Sequence, residues 1–115
     1  MLDVSDDRFE ELVSQALGLL PPSFAEHLHK VSVVIEPESD DPQHLLFGLY
    51  EGIPLTERGI EDVLLPDRIT IFRRSFLESC DTEAELVEEV RVTVLHEIGH
   101  FFGMDEDQLE ELGYG

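Results

Sequence analysis

Two histidines four residues apart bracket a glutamate in the segment His96-Glu97-Ile98-Gly99-His100. On a helix, positions four apart lie about 40° around the axis and one turn along it, so both imidazoles can reach one ion. Neutral imidazole is a good zinc donor, and a zinc site takes three or four donors in a tetrahedron. Glu97 stands about 100° around from His96, beside such an ion and not on it. A carboxylate placed there can serve as general base toward a metal-bound water. The pattern continues as H-E-x-x-H-x-x-G-x-x-E, with Gly103 three residues after His100 and Glu106 three after Gly103. Glycine lets the chain leave the helix sharply and swing back. Glu106 can then bring an acidic oxygen as third ligand, with Asp105 as the substitute one residue earlier.

The helix that must carry this motif has a legible pattern. Thr82 and Glu85 have capping-box spacing, and a long helix is expected from there to about Phe102, ended by Gly103. At 100° per residue, Val90, Val94, Leu95, Ile98, Phe101 and Phe102 share an arc of roughly 140°. His96 and His100 fall opposite the centre of that arc, and Glu97 falls at its border. The two histidines are therefore not core residues; they face a cleft or solvent. The competing assignment is a solvated histidine pair on an acidic helix.

The remaining elements follow from periodicity and breakers. Ser5 with Asp6 and Asp7 starts a helix, and Phe9, Leu12, Val13, Ala16, Leu17 and Leu20 keep helical spacing up to Pro21-Pro22. Ser23 to Leu28 adds a helical turn. Val31–Glu36 reads as a strand ending at Pro37, Leu45 to Glu51 as a second, and Arg68 to Arg73 as a third. The stretch from Glu38 to Gln43 reads as a polar turn and Gly52 through Pro66 as an extended loop. Grouped strands between helices predict an α+β domain: two helices on a small mixed or antiparallel sheet.

The other chemistry-bearing residues are assigned less specific parts. His27 and His29 flank a strand start and read as surface histidines, and His44 sits in a polar turn. Cys80 precedes a helix, which would lower its pKa, but without a positioned histidine a buried inert thiol is expected. Arg73 and Arg74 are expected to pair with carboxylates. Met104 is assigned to packing, Glu110 and Glu111 to solvent, and Tyr114 to a loose terminus.

Composition bounds what the site can serve. The 115 residues suit one domain spanning 1–115, and a 42% hydrophobic content allows a core. Asp plus Glu number 27 against 7 Lys plus Arg, giving net −20. Such a surface repels phosphate backbones and anionic bilayers, so neither nucleic acid nor membrane is an expected partner. A single cysteine excludes an intrachain disulfide, no apolar run approaches the roughly 18 residues of a membrane span, and the acidic start is unlike a signal peptide. A soluble cytoplasmic protein is expected.

Four segments together resemble the zincin metallopeptidases, and more narrowly the small single-domain zincin-like proteins of bacteria. They are Gly48 through Gly52, Pro54-Leu55-Thr56-Glu57-Arg58-Gly59, Pro66-Asp67-Arg68-Ile69 and HEIGHFFGMDED. The resemblance implies a sheet with an active-site helix, His96, His100 and Glu106 as zinc ligands, and Glu97 as catalytic acid/base. It implies a zinc-dependent peptidase acting on a peptide or protein. The motif departs from the common zincin ending in His or Asp, and on this reading neither a Met-turn nor the usual C-terminal wall of the cleft is expected. The alternative expectation is therefore an inactive zincin-fold metal-binding module that docks a partner protein.

Overall fold

The computed structural model describes residues 1–29, 31–38, 47–51, 67–101 and 107. The elements run α1 (Asp6–Leu17), α2 (Pro22–Leu28), β1 (Val31–Glu36), β2 (Gly48–Glu51), β3 (Asp67–Phe72), α3 (Arg73–Ser79) and α4 (Glu83–Phe101). The α+β class is as expected, although the described residues hold four helices, not two.

Helix α1 starts where its chemistry dictates: the Ser5 side chain accepts from the Arg8 N–H at 3.1 Å, and Asp6 and Asp7 lie over the positive end of the dipole. It ends at Leu17, short of the two prolines, where the Leu19 and Leu20 N–H groups tighten onto the Ala16 and Leu17 carbonyls three residues back. At the start of α4, Thr82 Oγ1 accepts from the Glu85 N–H at 3.1 Å, while the Glu85 carboxylate reaches the Asp81 N–H and not that of Thr82. The capping pair is real, displaced by one residue on its return bond.

Helix α3 departs from the sequence expectation, which carries the third strand through to Arg73 and places no helix between there and Thr82. No side chain caps it. Instead the Arg74 N–H at its start donates to Pro37 O, just past the end of β1, at 2.9 Å. Satisfying an orphan helix donor with a residue 37 positions earlier leaves no local mark in the sequence.

The sheet is mixed, in the order β1-β3-β2. Strand β3 runs parallel to β1, with Val33 opposite Ile69, and antiparallel to β2, with Tyr50 opposite Ile69. Strands β1 and β2 are consecutive in the chain yet not neighbours, so the antiparallel pair joins β2 to β3. The central place of β3 explains why Ile69 and Ile71 are fully buried, whereas β1 is only half-buried. Phe9, Leu12, Val13 and Ala16 of α1 and Leu86, Val90, Val94, Leu95 and Ile98 of α4 complete one core with Phe76 of α3. The polar turn from Glu38 to Gln43 lies mostly outside the described residues, and the loop from Gly52 through Pro66 lies wholly outside them.

Candidate metal centre

The face of α4 opposite this core carries the motif. Ile98 and Gly99 are buried, His96 and Glu97 half-buried, and His100 exposed, as the helical arithmetic requires. Strand β2 places a second wall beside them. A Cβ built on Gly48 would stand 2.9 Å from Thr93 Cγ2 of α4 and 3.2 Å from Thr70 O of β3. The missing side chain lets the strand lie directly on the helix. Two residues further along β2, the Tyr50 N–H donates to Glu97 Oε1 at 3.2 Å. The two contacts share one register: two strand residues advance about 7 Å and four helix residues about 6 Å, so β2 and α4 run alongside each other in the same direction.

The edge position of β2 makes that bond available. Phe72 N donates to Phe47 O, and the antiparallel register then directs residues 47, 49 and 51 toward β3. Tyr50 N–H accordingly points to the outer edge, where no strand of the described residues pairs with β2, and the Glu97 carboxylate takes it.

The electrostatics of Glu97 fit a proton acceptor. Burial pushes its carboxyl above the ordinary value, while the Tyr50 N–H and the imidazoles of His100 and His96 favour the charged form. Both histidines thus act on the same carboxylate. Their chemistry suits a metal: two imidazoles one turn apart on a helix face that is not core. Among the described residues no group of three or more His, Cys, Asp or Glu could hold an ion. Glu106, the third ligand expected from spacing, and its substitute Asp105 lie outside the described residues, as do His44, Met104, Glu110, Glu111 and Tyr114.

One sequence assignment changes. His27 is half-buried and not a surface residue: its Nε2 lies 3.2 Å from the Tyr50 hydroxyl, which donates to Asp67 Oδ2 at 2.7 Å. With its one proton given to Asp67, the phenol oxygen accepts from His27. Spacing assigns no role to Tyr50 or Asp67; the signal they carry is their place in two of the segments that resemble the family, Gly48 through Gly52 and Pro66-Asp67-Arg68-Ile69. Cys80 is buried, with its thiol pushed up by that burial and by Glu89, Glu85 and Asp81, which matches an inert thiol. Arg73 pairs with Asp6, and Arg74 with Glu38 and Glu78, as expected. No helix among the described residues is long and apolar enough to cross a membrane.

Comparison with known proteins bears on the family and the fold. A family described as zincin-like metallopeptidase matches residues 26–115, which include all of β1 to α4 and the whole motif. A solved structure, a conserved hypothetical protein from Thermo thermophilus, aligns with a TM-score of 0.56 at 28% identity, covering 95% of this chain and 97% of that one. No curated protein matches the sequence.

Proposed function

Because the chain belongs to the zincin-like metallopeptidase family, we propose that it is a zinc-dependent peptidase whose general base is Glu97. The observation that carries this reading is Glu97 itself: half-buried, held by the Tyr50 N–H at the sheet edge and influenced by both histidines of the motif.

His96, His100 and Glu106 would hold the zinc. When bound, zinc makes water acidic enough to attack at neutral pH and polarises a carbonyl oxygen. Glu97 accepts the proton of the attacking water and returns it to the leaving amine. Its raised affinity for a proton, set by burial, brings it nearer the range where one group can both take and give. The Tyr50 N–H donates to Oε1, which leaves Oε2 for the water. The net charge of −20 suits basic peptide segments as substrate. A reducing, cytoplasmic setting is part of the proposal and is consistent with a single buried thiol.

Metal analysis of the purified chain with added zinc tests the reading. Near-stoichiometric zinc is expected, lost when His96 and His100 are both changed to alanine. Glu97→Gln is expected to retain zinc and to lower peptide hydrolysis by about 10²–10⁴-fold. A chain that takes up no zinc overturns the proposal. Zinc-dependent stability without cleavage of any peptide in a diverse library would instead indicate a docking module.

A further inference from the structure

The proposed chemistry leaves one polar cluster without a part. Tyr50 joins three elements through two different groups. Its main-chain N–H reaches Glu97 of α4, while its phenol donates to Asp67 of β3 and accepts from His27 near the end of α2. Asp67 lies two residues before Ile69, the partner of Tyr50, so it sits on the same face of the sheet and diagonally within reach. It is only 7% exposed. The His27 and Tyr50 rings are parallel to within 14°.

These bonds differ in how firmly they hold. The N–H bond to Glu97 is long, at 3.2 Å, and comes from a four-residue strand with one outer edge. The ladder to β3 fixes the register of this strand, and the phenol adds a side-chain tie at residue 50 itself, on the short edge strand. The phenol bond, at 2.7 Å, has the usual length of a hydroxyl on a carboxylate and ends on a buried residue where water competes poorly. The firmer bond therefore sets where the weaker one points.

We propose that Tyr50 is a positioning residue for Glu97: its phenol, anchored on Asp67 and His27, fixes the outer edge of β2 so that the Tyr50 N–H holds Glu97 Oε1. The catalytic consequence rests on the peptidase reading; the clamp itself is a property of the fold.

The full chain, zinc-loaded, tests this with three variants. Tyr50→Phe keeps the ring and removes the hydroxyl, Asp67→Leu removes the acceptor, and Asp67→Asn keeps a carbonyl oxygen for the phenol proton. Two measurements are made on each: hydrogen exchange of the backbone amide at position 50, and kcat and KM for a peptide substrate. Tyr50→Phe and Asp67→Leu are expected to speed that exchange about tenfold and to lower kcat about tenfold, with KM and zinc content unchanged. Asp67→Asn is expected to restore both toward wild type, which a loss of general packing would not do. Unchanged exchange in Tyr50→Phe overturns the proposal, as does faster exchange with unchanged kcat in an active enzyme. If Asp67→Leu fails to fold, Tyr50→Phe alone decides by the same criteria. If the zinc-loaded wild type cleaves no peptide, the peptidase reading falls, while the exchange arm still judges the clamp.

Discussion

Replacing Gly48 with alanine should separate β2 from α4, and the size of the effect can be worked from the contacts. The new methyl would stand 2.9 Å from Thr93 Cγ2 and 3.2 Å from Thr70 O. Carbon atoms in contact prefer about 3.5–4.0 Å, so helix and strand must part by at least about 0.6 Å. Thr93 is β-branched and short, so it cannot swing a long side chain aside. Overpacking of this kind costs about 1–3 kcal/mol. Alanine also restricts the unfolded chain, which offsets about 0.4–1 kcal/mol of that. A net loss of about 1–2 kcal/mol remains, or roughly 4–8 °C in melting temperature for a domain of this size. If the strand takes up the whole shift, the 3.2 Å bond from Tyr50 to Glu97 is stretched out of hydrogen-bonding range. The assay is thermal unfolding of Gly48→Ala, of Thr93→Ser and of the double variant. Removing the Thr93 methyl in the double variant should recover more than half of the loss, a favourable coupling between neighbours. A single variant that melts within about 1 °C of wild type, or a double variant with no recovery, refutes the reasoning.

Two further predictions concern the support of the fold. Arg8, hydrogen-bonded to Glu83 and Glu11, holds the Glu83 carboxyl below its ordinary value of 4.5. Stability from this pair is therefore present above about pH 4.5 and lost as pH falls through the lowered folded value. Arg8→Met should bring the Glu83 titration midpoint back up by NMR, and its stability deficit should vanish in acid; a deficit that persists there would assign the loss to packing. Phe76, fully buried, meets Phe47 edge-on at 5.1 Å between ring centroids and Phe9 at 6.3 Å. Phe76→Ala should cost about 3–5 kcal/mol by urea unfolding, and a cost below about 1 kcal/mol would contradict its place at the centre of the core.

Elements with local causes are readable from residues alone. The Ser5 cap, the strand Val31–Glu36 and the placement of His96 and His100 off the core face of α4 all depend on neighbours within a turn or two. Helix α3 is not readable, because the Arg74 N–H in its first turn is satisfied by Pro37 from across the fold. Pairing of β2 with β3 is equally hidden, since alternation marks a strand but says nothing of its neighbour. His27 shows the same limit: its spacing gives no partner, and only the approach of α2 to the end of the sheet brings it to the Tyr50 phenol.

The motif itself, with its two imidazoles and intervening carboxylate, was determined by the sequence, because helical periodicity is a local rule that places residues 96, 97 and 100 without reference to anything distant. What the tertiary structure alone decided is the environment of that carboxylate: a glycine that admits β2 against α4, and an edge N–H that meets Glu97. Burial and hydrogen bonding across 47 residues of chain set its affinity for a proton, and these come from packing, which no local pattern encodes.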